Sequence, residues 1–164
     1  MPGIIFISVW AEGWKAIIIQ LTDKKTIGIS MYQITDEEFE QVIEETLKEM
    51  PAEFIDALEN ICIVAEDEPS PSDLMSVQRR NNPNGPTGIT RRGELLGLYH
   101  GINIQKRGTH YAMVEPDMIT IFKGPHERVS TSREDIFERI SKTVIHEIGH
   151  YFGLDDKRLR EMGY

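Results

Sequence analysis

The spacing of apolar residues changes character along the chain, and the changes mark out its elements. Residues 4–9, 16–21 and 26–30 are short runs rich in β-branched side chains, broken by Glu12-Gly13 and Asp23-Lys24-Lys25, a pattern of strands or hairpins. From Thr35 the period becomes helical. Thr35 and Glu38 form a capping box, and Phe39, Val42, Ile43 and Leu47 fall on one face. Residues 1–30 therefore read as a β-rich N-terminal extension and 31–164 as the main domain. Two accounts of the extension compete: translation starting at Met31, or a genuine extra hairpin on a sheet edge.

Pro51 opens a second helical turn reaching Leu58, because proline suits the first position of a helix. Residues 61–65 read as a buried strand, followed by the acidic Glu66-Asp67-Glu68-Pro69. Residues 69–93 are weakly patterned, with Asn84-Gly85 as a turn signal and the pairs Arg79-Arg80 and Arg91-Arg92. They read as a solvated connector in preference to a substrate lid. Residues 95–99 and 118–122 are strands bounded by Gly93 and by Gly124-Pro125. Thr131 and Glu134 then offer a capping box for a long helix, whose core stripe is Ile136, Ile140, Val144, Ile148 and Tyr151.

His146, Glu147 and His150 fall off that stripe, toward a cleft. Residues 146–156 read H-E-x-x-H-x-x-G-x-x-D. Imidazoles four residues apart lie on one helix face, about 6 Å apart along the axis, so one divalent metal takes both. Glu147 stands about 100° around the helix from His146, where a base for a metal-activated water belongs. H-E-x-x-H alone arises by chance in roughly one chain of this length in a few hundred, and the added glycine and carboxylate cut that about a hundredfold. A helix carrying surface histidines and a salt-bridging glutamate is therefore the weaker reading.

A catalytic zinc site commonly has three protein ligands and an open fourth position. The helix does not easily supply the third, so the chain must bend, and Gly153 tolerates the left-handed backbone that ends a helix. Asp156 is the candidate that swings back to the metal, with Asp155 as its rival and Glu161 a weaker one. With Glu147 as general base for an attacking water, peptide hydrolysis is the best-matched reaction. Gly149, inside the helix at a cost of about 1 kcal/mol relative to alanine, points to a close neighbour. His100, His110 and His126 read as ordinary surface or loop residues, and Tyr99 and Tyr111 as oxyanion donors only if the fold brings them to the cleft.

Composition narrows the classes. The chain of 164 residues and 18.8 kDa fits one domain with a real core. A net charge of −9 argues against a general nucleic-acid binder. Much of the acid lies on the helical stretch 36–53, where it serves solubility. The single cysteine, Cys62, sits in an apolar run and reads as a buried thiol, and no disulfide framework is open to a monomer. No run reaches the roughly 18–20 apolar residues of a membrane span, and the apolar start lacks the basic region of a signal peptide. Cytoplasmic residence is the default expectation.

The chain also resembles the small, mostly bacterial zincin-like metallopeptidase family long catalogued as a domain of unknown function. The resemblance runs from about residue 37 to 164. It is carried by Leu58-Glu59-Asn60-Ile61, Val64-Ala65-Glu66-Asp67-Glu68-Pro69, Leu96-Gly97-Leu98-Tyr99 and Asp117-Met118-Ile119-Thr120-Ile121-Phe122-Lys123-Gly124-Pro125. Val144-Ile145-His146-Glu147-Ile148-Gly149-His150-Tyr151-Phe152-Gly153 and Arg160-Glu161-Met162-Gly163-Tyr164 complete it. It implies an α+β, minimal zincin-like fold: a small mixed β-sheet, an N-terminal helix and a C-terminal active-site helix carrying H-E-x-x-H. One zinc ion is expected on His146, His150 and Asp156, with a sheet strand beside the cleft as the close neighbour of Gly149. The chain departs from the family over its first thirty residues, and at His100, where relatives tend to have an acidic residue. Eight residues follow Asp156, which leaves little room for a methionine-bearing turn below the metal, and Met162 is only a weak candidate for it.

Two functions follow. The first is a zinc-dependent metallopeptidase acting on peptides or unfolded protein, with no nucleic-acid or membrane partner. The second is a non-proteolytic, metal-stabilised module that binds peptide or protein on the same scaffold. A base beside the ligands discriminates, because a structural zinc site needs none and usually closes its four positions with protein ligands.

Overall fold

The computed structural model describes residues 5–8, 15–18, 32–78, 87–91, 93–107 and 116–164. Within the N-terminal extension, β1 (Ile5–Ser8) and β2 (Lys15–Ile18) form an antiparallel hairpin. The third expected strand, at 26–30, and Met31 lie outside the described residues. Helix α1 (Asp36–Glu49) starts at the Thr35–Glu38 capping box, with Glu38 N–H donating to Thr35 Oγ1 at 3.1 Å. Pro51 is the N-cap of α2 (Ala52–Asp56), one place ahead of its expected position.

Four strands make the main sheet: β3 (Ile61–Glu66), β4 (Thr87–Arg91), β5 (Glu94–His100) and β6 (Asp117–Phe122), in the order β3-β6-β5-β4. β3 runs parallel to β6, and the other two pairings are antiparallel, so the sheet is mixed. The described part of the stretch 69–93 is more than a plain connector. It holds α3 (Pro71–Gln78) and strand β4. Ser70 begins α3 by exchanging hydrogen bonds with Asp73, its Oγ accepting from Asp73 N–H at 3.2 Å while Asp73 Oδ2 accepts from Ser70 N–H at 2.8 Å.

Helix α4 (Lys123–Val129) lies where Gly124-Pro125 suggested only a boundary. Pro125 falls in the first turn, where a missing N–H costs no helical bond. The long helix α5 (Arg133–Tyr151) is capped by Ser132, one residue later than expected, whose side chain accepts from Asp135 N–H. Helix α6 (Asp156–Glu161) follows.

The core lies between the inner sheet face and two helices. Phe39, Val42, Ile43 and Leu47 of α1 meet Ile136, Ile140, Val144 and Ile148 of α5 over Ile61, Ile63, Ile119 and Ile121. Leu95, Leu98 and Phe122 form a second cluster with Val77 of α3. Cys62 is only partly buried, because its strand alternates faces and it opposes Met118 on the thinner side. Among the described residues, no helix is long and apolar enough to cross a membrane.

Candidate metal centre

The centre is built at the C-terminal end of α5. There Thr143, Val144, His146, Glu147, Ile148, Gly149, His150 and Tyr151 are all buried. His146 and His150, one turn apart, place their ring centroids 4.7 Å from each other, nearly perpendicular. Phe152 then caps the helix. Gly153 adopts φ +88°, its N–H reaches the His150 carbonyl at 3.0 Å, and Leu154 N–H reaches the Gly149 carbonyl at 3.0 Å. This is the Schellman pattern of paired bonds, and its left-handed residue favours glycine.

The turn feeds directly into α6 and separates its neighbouring aspartates. Asp155 is the N-cap, its Oδ1 accepting from Arg158 N–H at 2.8 Å. Asp156 turns the other way, with Oδ1 3.4 Å from His146 Nε2 and 3.1 Å from His150 Nε2. Glu161 is exposed and pairs with Arg158. Among the three candidate carboxylates, Asp156 is thus the one brought to both imidazoles. The ligating atoms of His146, His150 and Asp156 all lie within 4.8 Å of one another.

His150 is oriented from behind, as Nδ1 donates to the Leu154 carbonyl at 2.8 Å. That bond fixes the tautomer and leaves Nε2 with its lone pair toward Asp156. The buried Nε2 stands 3.1 Å from Asp156 Oδ1 without a well-formed hydrogen bond among the described residues. Two imidazoles, a carboxylate and an unsatisfied buried ring nitrogen make a donor set that fits zinc. Burial works against a charged His150, but the Asp156 carboxylate, the Glu147 charge and the Leu154 carbonyl outweigh it and raise its pKa.

Glu147 is fully buried, at 0% exposure, and rests on the sheet at Gly97. A Cβ at Gly97 would lie 2.6 Å from Thr143 Cγ2 and 3.0 Å from Glu147 Cγ. Gly149 does have the expected close neighbour, but it is the Leu159 side chain of α6, not a strand. The strand approaches at Gly97 instead. Each glycine therefore docks one part of the centre: Gly97 receives the glutamate's side of α5, and Gly149 receives the helix that carries Asp156.

His126 corrects the expectation of a surface or loop residue. It is 0% exposed, with Nδ1 2.7 Å from the Phe122 carbonyl and Nε2 3.0 Å from Thr143 Oγ1. Burial holds its pKa down to about 4. Thr143, one turn before Glu147, also reaches the Arg139 carbonyl at 2.9 Å. No periodic signal marks His126, because its partners come from the strand end before it and from α5.

The remaining candidates lie apart from the ligands. His100 is half-exposed and stands 3.6 Å from Asp73. Tyr99 donates to Asp117 Oδ2 at 2.6 Å and serves a buried polar cluster in the core. Met162 caps α6 at 52% exposure and does not underlie the histidines. His110 and Tyr111 lie outside the described residues.

The zincin-like metallopeptidase family matches residues 58–164, well over half of the chain, and the chain belongs to that family. Its fold is the family's minimal α+β arrangement of a small mixed sheet and a motif helix. The match starts later than the resemblance read from about residue 37, and it leaves the N-terminal extension outside. No curated protein sequence matches the chain significantly.

Proposed function

We propose that the chain is a zinc-dependent metallopeptidase in which His146, His150 and Asp156 hold one zinc ion and Glu147 is the general base. The carrying observation is that ligating atoms of His146 and His150 on α5, which also presents Glu147, and of Asp156 on α6 converge within 4.8 Å of one another. Zinc bound there supplies Lewis acidity and makes water acidic enough to ionise near neutral pH. Glu147 accepts the proton from the water that attacks the peptide carbonyl, then delivers it to the departing amine. Its burial against Gly97 keeps the carboxylate out of bulk water and fixes its position before the substrate arrives.

Peptide or unfolded protein is the proposed substrate class. β4 is the last strand of the main sheet and lies beside α5. Its outer edge has no paired strand among the described residues, and such an edge accepts an extended chain through main-chain hydrogen bonds.

The test pairs zinc analysis with a peptide-library digest of the wild type and Glu147→Gln. One zinc per chain in both, with cleavage lost only in the variant, is the expected result. Cleavage surviving Glu147→Gln would overturn the assigned base, and zinc-loaded wild type that cleaves nothing would overturn the peptidase.

A further inference from the structure

Residues 101–107 leave the end of β5 and form a loop whose two ends meet at one carboxylate. At the entrance, Tyr99 donates to Asp117 Oδ2 at 2.6 Å, and a Cβ at Gly101 would collide with the same carboxyl group. At the exit, Arg107 Nη2 donates to Asp117 Oδ2 at 2.6 Å. Arg107 Nε closes the loop internally on the Ile102 carbonyl at 3.0 Å. Asp117 is buried at the start of β6, so the loop is fastened to the sheet.

Apart from a 3.5 Å hydrogen bond from Arg107 Nη1 to the Glu59 carbonyl, the loop reaches three consecutive residues at the end of α5. Arg107 lies over the Tyr151 ring, 4.8 Å from its centroid, and donates to its hydroxyl at 3.3 Å. A 3-10 turn, Ile104–Lys106, raises Gln105 so that Nε2 donates to the Phe152 carbonyl at 2.8 Å. The same amide covers Gly153, where an added Cβ would lie 2.7 Å from Gln105 Cδ. Tyr151, Phe152 and Gly153 are the first three of the five residues between His150 and Asp156. The next carbonyl, that of Leu154, orients His150.

We propose that this loop is a strap that fixes the ligand-bearing turn, with Gln105 as a positioning residue for the metal centre. The proposal rests on the zinc reading above. The Schellman bonds, the His150–Leu154 bond and the seat of Leu159 on Gly149 all tie the turn to α5 itself, so without an outside anchor it can rock about Gly153 and carry Asp156 with it. Gln105 removes that freedom by satisfying a carbonyl at the helix end from a loop anchored elsewhere. The amide touches neither the ligands nor the reacting atoms, so its effect passes through the distance between His150 and Asp156.

The test compares Gln105→Ala, the isosteric Gln105→Glu and the control Lys106→Ala by competition for zinc against a chromophoric chelator. Visible spectra of the cobalt-loaded proteins report ligand geometry. Both Gln105 variants should bind zinc about tenfold more weakly, the range for groups that support metal ligands. Their cobalt bands should shift, while Lys106→Ala matches the wild type in both measurements. Thermal unfolding of the metal-free proteins should be nearly unchanged, which separates positioning from loss of fold. Wild-type zinc affinity and an unshifted cobalt spectrum in both Gln105 variants would overturn the strap while leaving the zinc reading intact. A wild-type protein that binds no zinc would overturn the zinc reading itself.

Discussion

Replacing Gly97 with alanine asks whether the sheet seats the glutamate. The new methyl carbon would stand 2.6 Å from Thr143 Cγ2, 3.0 Å from Glu147 Cγ and 3.2 Å from Glu147 Oε1. Carbon atoms pack at about 3.5–4.0 Å, so something must move by about 1 Å. The strand is held on both sides, with Gly97 paired to Ile121 of β6 and Ile89 of β4. Thr143 is tied to His126 and to the Arg139 carbonyl. With the strand and the Thr143 hydroxyl both held, the face of α5 that carries Thr143 and Glu147 has to shift from the sheet, and the base moves with it. Overpacking of this kind costs about 1–3 kcal/mol, or roughly 2–4 °C of unfolding temperature per kcal/mol in a chain of this size. A base displaced by about 1 Å loses on the order of a hundredfold in turnover. Peptide hydrolysis at saturating zinc, thermal unfolding and zinc competition would be measured together. Turnover should fall steeply with zinc affinity nearly kept. An alanine variant with wild-type turnover and unfolding temperature would refute the seating argument.

The companion substitution Gly149→Ala should fail differently. It pushes Leu159 and α6 away, so zinc affinity drops first, while up to about 1 kcal/mol of helix propensity partly offsets the stability cost; chelator competition reads it. His126, ordinarily near 6.5 and held by burial to about 4, binds its proton more readily in the unfolded chain. Its contribution is therefore present above pH 6.5, falls with pH and is gone below about 4, a loss of about 3 kcal/mol. Urea unfolding of the zinc-free protein from pH 7 to 4 should show it, His126→Gln should flatten that part of the profile, and an imidazole titrating near 6.5 by NMR would refute it. Because the pKa of His150 is raised, protons compete with zinc over a range reaching above the usual histidine value. Zinc affinity should weaken as pH falls through that range, and a pH-independent affinity would refute the assignment.

What the chain made legible was local. Two histidines and a glutamate share a helical period, and Gly153 is a turn signal, so the motif helix and its stop could be read from adjacent residues. The choice among Asp155, Asp156 and Glu161 could not, because it depends on which aspartate caps α6. Asp155 accepts the Arg158 N–H, which leaves its neighbour to face the histidines. Helix α4 was hidden because Gly124-Pro125 looks like a breaker until the proline falls in a first turn. The seats at Gly97 and Gly149, the burial of His126 and the reach of Gln105 all come from contacts between distant segments. No period in the sequence encodes them.

Asp156 is at once the first residue of α6 and the carboxylate nearest both histidines. A helix of six residues is far too short to persist by itself in water. The Asp155 cap and Leu159, lodged against Gly149, help hold it in place. A metal clasped between Asp156 and α5 would add its binding free energy to the folding of residues 154–164. Without that clasp, this segment would open locally more readily and present its backbone to proteases. On the proposed zinc reading, one carboxylate would couple metal supply to the survival of the polypeptide: chelation would shorten the protein's lifetime as well as silence its chemistry.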